Sequence, residues 1–119
     1  MKQHKKVAAI YCRTAHPDDF SIFEQRDRLT RLAIAKGHDN IGYYQDNGYS
    51  GLNFERPTFL QMCEDIQAGN IQCILVFGIS RFGRDFLSVS KWLAELRLIG
   101  TTVISLDEEL NPYYLLNIC

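Results

Sequence analysis

The sequence has no apolar run approaching the roughly 20 residues that a membrane-spanning helix needs, so no membrane partner is expected. It has no excess of positive charge either: 13 Lys and Arg stand against 14 Asp and Glu, a net charge of -1. Domains that hold duplex DNA tightly by themselves usually carry a clear basic surplus, so any nucleic-acid contact should be local. Cysteines 12, 63, 73 and 119 form no Cys-x-x-Cys pair and no Cys/His ligand spacing, and nothing like a secretory signal precedes them. Reduced thiols and a cytoplasmic location follow as the default. His4 and His38 have no carboxylate or cysteine at ligand spacing and should face solvent; no metal and no other cofactor is expected. A glycine-rich phosphate loop and a Cys-x5-Arg nucleophile pattern are both missing, which speaks against an unrelated small-molecule phosphatase. Tyr43, Tyr44 and Tyr49 lie in surroundings that are not basic and read as packing and loop residues rather than base-stacking platforms. There is no internal repeat and no low-complexity segment.

What is present is enough for one core. A chain of 119 residues with 46% apolar content fills a single domain and is too short for two. Apolar runs at Val7–Cys12, Ile41–Gln45, Gln72–Phe77 and Thr101–Leu106 read as strands. The central one, rich in β-branched residues, suits a strand buried on both faces. Between them lie three helices. The first opens at Ser21-Ile22-Phe23-Glu24, a Ser-x-x-Glu capping box with Ser21 as N-cap, and closes before Gly37. The second starts at Pro57, carries Phe59, Met62, Cys63 and Ile66 at i, i+3, i+4, i+7, and stops at Gly69. The third follows Arg84, with Phe86, Val89, Leu93 and Leu96 as its apolar stripe; Trp92 lies off that stripe. Regular alternation of strand and helix predicts an α/β domain over residues 1–108, a three-layer, mostly parallel sheet of four to five strands with helices on both faces. Residues 109–119, broken at Pro112 and ending in an apolar stretch, read as a separate tail.

Open parallel sheets bind ligands beyond the carboxyl ends of their strands. Arg13 falls there after the first strand. Asp46, Ser50 and Arg56 belong to a turn-rich loop after the second, and Arg81 and Arg84 follow the third. If the chain turns helical after Ser80, a spacing of three puts both guanidiniums on one side of the first turn, an arrangement suited to a phosphate. His16 is a further candidate for touching phosphate.

In this order and at these spacings, Tyr11-Cys12-Arg13, Gln25, Asp46-Asn47-Gly48-Tyr49-Ser50-Gly51, Arg56-Pro57 and Ser80-Arg81-Phe82-Gly83-Arg84 resemble the N-terminal catalytic domain of serine recombinases, the resolvase and invertase family. The middle pieces are closest in style to the large serine recombinases. The resemblance runs from Val7 to about Glu108 and implies the resolvase-like fold. It implies a DNA partner, a homo-oligomer in the full-length context, and strand cleavage and exchange through a phosphoserine link. It also implies that Arg13, Arg56, Arg81 and Arg84 line a phosphate pocket, with Gln25, Asp46 and Ser50 in support. Preorganised guanidiniums stabilise the charge that builds on the nonbridging oxygens in the transition state. One such arginine contributes on the order of a thousandfold in phosphoryl transfer.

Two departures accompany the likeness. The family's nucleophile lies two residues after the first arginine, and this chain has Ala15 there, whose methyl group cannot attack phosphorus. Thr14 is offset by one residue and should point elsewhere, while Ser21 is reserved as a cap. Losing an activated nucleophile removes on the order of a millionfold in rate, so the chain as it stands is expected to be inactive. The other departure is that residues 109–119 do not read as the start of the long dimerisation helix that precedes the family's DNA-binding region. A different class of reading is therefore kept open, a non-catalytic regulatory or interaction module that pairs with an active recombinase.

Overall fold

The computed structural model describes residues 6–107. His4, the tail at 109–119 and its Pro112 break lie outside the described residues. Eight segments alternate along the chain: β1 (Val7–Thr14), α1 (Asp19–Ala35), β2 (Ile41–Asn47), α2 (Pro57–Gln67), β3 (Ile71–Val76), a single 3-10 turn (Ile79–Arg81), α3 (Phe86–Leu98) and β4 (Thr102–Ser105). The four strands form one sheet in the order β2-β1-β3-β4, and every pairing in it is parallel. This is the α/β fold expected, with four strands among the described residues.

Side-chain alternation on β1 decides what lies on each face. Ala8, Ile10 and Cys12 join Ile22, Leu29, Ala33, Cys73 and Leu75 in a core under α1. Ala9 and Tyr11 join Phe59, Met62, Ile66, Ile74, Val76, Phe82, Val89 and Leu96 in the core under α2 and α3. Trp92, off the stripe in sequence, closes the flank of this second core, its ring centroid 4.9 Å from that of Phe82 and 5.0 Å from that of Phe59. Phe86, expected on the inward stripe of α3, is 72% exposed instead. It is the first residue of the helix, one turn ahead of the buried Val89.

The start of α1 differs from expectation, because a partner distant in sequence takes the local donor. α1 is capped by Asp18, whose carboxylate accepts from the Ser21 backbone N–H at 3.0 Å. Asn47 Oδ1 accepts from Asp18 N at 2.8 Å and Asn47 Nδ2 donates to Asp19 Oδ1 at 2.8 Å, so the end of β2 holds the N-cap at Asp18 and not at the Ser21 that the capping box predicts. Ser21 is thus inside the helix, and its hydroxyl accepts from Gln25 Nε2 at 3.2 Å. After β3 the chain does not turn into α3 at Ser80. Arg84 N donates to Gly51 O at 2.8 Å, which keeps 82–85 out of the helix, and Asp85 caps α3 by accepting from Leu87 N at 3.2 Å.

The strand order reverses at β1: β2 lies on one side of it and β3 on the other. Such a switch point leaves a crevice between diverging loops at the carboxyl ends. Arg13 is the penultimate residue of β1 and belongs to the strand rather than the following loop, while Arg81 and Arg84 follow β3, so the topology delivers them to the same crevice.

Candidate functional site

Arg13 is the centre of the constellation. Gln25, 2% exposed on α1, grips its main chain in both directions: Gln25 Oε1 accepts from Arg13 N, and Gln25 Nε2 donates to Arg13 O, each at 3.2 Å. The Arg13 side chain, on the Tyr11 face of β1, is 5% exposed and fastened at three donors. Nε donates to Arg81 O at 2.8 Å, Nη1 to Tyr49 O at 3.0 Å and Nη2 to Ser80 O at 3.1 Å. Its guanidinium therefore bridges the loop after β2 and the turn after β3. Burial, followed by the positive charges of Arg56, Arg81 and Arg84, lowers its pKa from the ordinary value, with Tyr11 opposing. An arginine starts so high that the group stays charged.

Arg56 precedes α2 and is 1% exposed. Nη1 donates to Tyr11 Oη at 3.1 Å and to Arg81 O at 3.0 Å, and Nη2 donates to Phe82 O. The face of the Phe59 ring lies 4.6 Å from its guanidinium carbon, and Nε has no partner. Asp46, also 1% exposed, is the last-but-one residue of β2. It accepts from Thr58 N and Phe59 N at 2.9 Å each, capping the first turn of α2, and from Tyr11 Oη at 2.8 Å. Burial pushes the Tyr11 phenol up; Arg56 pulls against that rise and Asp46 adds to it.

Arg81 is half-buried in the 3-10 turn and Arg84 is exposed. Gly51 lies against Arg13 and Arg84: a Cβ built there would meet Arg13 Nη2 at 3.0 Å and Arg84 Cγ at 3.0 Å. Among the described residues, no carboxylate forms an ion pair with Arg13, Arg56, Arg81 or Arg84. Positive charge gathered in this way, and restrained by carbonyl oxygens instead of counter-ions, suits an anion with several oxygens.

The remaining candidates divide between the rim and the frame. Ala15 and His16 are exposed in the loop leaving β1, and Ser50 is exposed with its hydroxyl accepting from Leu52 N at 3.2 Å. Thr14 is 6% exposed; its hydroxyl donates to Asn47 Oδ1 at 2.7 Å and accepts from Gly48 N at 3.0 Å, so it is committed to the β1–β2 junction. No cluster of three or more His, Cys, Asp or Glu side chains suited to a metal occurs among the described residues. No helix among them is long and apolar enough to cross a membrane. Sequence reading missed Tyr11, Asn47 and Gly51 as site-building residues. Tyr11 carried a signal, since a phenol inside an otherwise apolar buried strand needs a hydrogen-bond partner.

The family model described as Resolvase, N terminal domain, matches residues 8–115. This chain belongs to that family. Its fold is shared with solved resolvase-family domains. The N-terminal catalytic domain of TP901-1 integrase superposes with a TM-score of 0.79 at 32% identity, covering 87% of this chain and 79% of that one. A resolvase family site-specific recombinase from Streptococcus pneumoniae gives 0.74 at 29% identity, covering 87% and 74%. The C-terminal catalytic domain of ISC1926 TnpA, an IS607-like serine recombinase, shares the fold with a TM-score of 0.76 at 23% identity, covering 83% and 66%. A search of curated proteins returned no match. The chain is thus a catalytic-type domain of the serine recombinases, and the arginine cluster occupies the carboxyl end of its sheet.

Proposed function

We propose that the cluster of Arg13, Arg81 and Arg84 binds a phosphodiester of DNA, and that the chain binds without cutting because Ala15 stands where the family's serine nucleophile would be. The observation that carries the reading is the absence of any carboxylate counter-ion to these arginines among the described residues, although Arg13 is nearly buried. A nearly buried cation held by neutral carbonyls with no counter-charge is costly, and an anionic ligand relieves that cost. Substitute nucleophiles lack support: the Thr14 hydroxyl already donates to Asn47, and Ser21 lies within α1, bonded to Gln25.

The test is Ala15→Ser, mixed with DNA carrying the cognate crossover site and resolved under denaturing conditions. A protein–DNA adduct that survives denaturation supports the reading, and a clean absence of adduct from a folded variant that still binds the DNA counts against it.

A second reading follows from the exposed apolar side chains Leu52, Phe86 and Leu87, each at least 70% exposed, on the loop after β2 and the start of α3. They favour pairing with another recombinase subunit, so that the chain would act as a regulatory partner in homo-oligomers or mixed oligomers. Co-purification with an active family member, abolished by Phe86→Ser with Leu87→Ser, supports that role; a strictly monomeric chain that captures no such subunit removes it.

A further inference from the structure

We infer that Arg56 is a positioning residue, held by Tyr11 and Asp46, that sets the backbone carrying the phosphate-binding arginines and does not itself touch the anion. This rests on the reading of Arg13, Arg81 and Arg84 as an anion site, and it assigns Arg56 a role different from the pocket-lining one that the family resemblance implies.

The geometry forms one continuous relay. The first turn of α2 donates two backbone N–H groups to Asp46. Asp46 accepts the Tyr11 hydroxyl proton, and the same hydroxyl oxygen accepts from Arg56 Nη1. Arg56 then donates to the carbonyls of two consecutive residues, Arg81 and Phe82. Grasping adjacent carbonyls orients two successive peptide planes: the first adjoins the α-carbon of Arg81, whose other plane is held through Ser80 O by Arg13 Nη2, and the second leads on towards Arg84. The Arg81 carbonyl also accepts from Arg13 Nε, so one oxygen receives two guanidiniums.

Arg56 is poorly placed to be a ligand. Its side chain is 1% exposed, its guanidinium faces the Phe59 ring, and both Nη1 donors are in use. Tyr11 and Asp46 are as deeply buried, at 0% and 1%. The whole relay therefore lies beneath the anion site.

The test uses the whole chain, with inorganic phosphate as probe and the Arg13 Nε–H resonance in NMR as reporter of the Arg81 carbonyl. Tyr11→Phe removes one oxygen and no charge; it should shift that resonance and weaken phosphate binding by about fivefold, the order expected for losing one positioned hydrogen bond. Arg56→Lys keeps the charge but cannot span two carbonyls and a hydroxyl, so it should bind phosphate as weakly as Arg56→Met. Near-native affinity in Arg56→Lys beside loss in Arg56→Met would overturn the inference, because charge would then matter and geometry would not. If both Arg56 variants fail to fold, Tyr11→Phe decides alone: an unmoved resonance with unchanged affinity overturns it. If the native chain binds no phosphate, the anion-site reading falls, and the Arg13 resonance in Tyr11→Phe still decides whether the relay sets the Arg81 backbone.

Discussion

Arg13 Nε donates to the main-chain carbonyl of Arg81 at 2.8 Å, fastening the cation on β1 to the backbone that carries the next cation. The two residues are separated by 68 positions in sequence. Because the anchor is a carbonyl, the Arg81 side chain stays available to a ligand. The same economy recurs at Arg84, whose amide is held by the Gly51 carbonyl while its side chain remains exposed.

Replacing Arg81 and Arg84 together by alanine should abolish phosphate or sulfate binding and leave the fold intact, since neither side chain forms a hydrogen bond or ion pair with another described residue. Trp92, the sole tryptophan, packs against Phe82, the residue after Arg81, and should report the titration by its fluorescence. Unchanged affinity in the double variant would show that the pocket is not built from these side chains.

Gly51→Ala should weaken the same binding several-fold. Its new methyl would lie 3.0 Å from Arg13 Nη2, and any shift of that guanidinium to make room strains its three carbonyl bonds. Overpacking of this kind costs about 1–3 kcal/mol, visible as a lower midpoint in urea unfolding.

Phe59→Ala should cost about 3–5 kcal/mol, the range for truncating a buried phenylalanine. Phe59 is 1% exposed, touches the rings of Tyr11, Phe54 and Trp92, and supports the Arg56 guanidinium. Thermal or denaturant unfolding followed by far-UV circular dichroism measures the loss.

Stability should fall on the alkaline side. Burial pushes the Cys12 thiol up to about 12 and Cys63 up to about 11, from an ordinary value of 9.0. Above about pH 9 the unfolded chain loses these protons while the folded chain keeps them, so the unfolded state binds fewer protons and stability declines as pH rises. The buried Cys12 alone contributes a slope of at most about 1.4 kcal/mol per pH unit between pH 9 and 12. Melting temperatures measured from pH 7 to 11 should be level at first and then descend, and Cys12→Ala should flatten the descent.

Alternating apolar runs and helical stripes were enough to foretell a mostly parallel sheet of four to five strands, three helices and their layers, because hydrophobic periodicity is a local property that burial reads directly. The same strand reading located the arginines at the carboxyl end of the sheet, since strand ends are local features. Depth was not legible. Nothing near Arg56 in sequence says that it lies beneath the site while Arg84 lies on top, since its partners Tyr11 and Arg81 are 45 and 25 positions away. The start of α1 was illegible for the same reason. Ser21 and Asp18 offer comparable local caps, and Asn47, 29 residues beyond Asp18, settles the choice. Local pattern thus determined the elements and their order, whereas long-range hydrogen bonds between main chain and side chain decided which arginines are buried and fastened, as Arg13 and Arg56 are, and which, as Arg84 is, stay exposed.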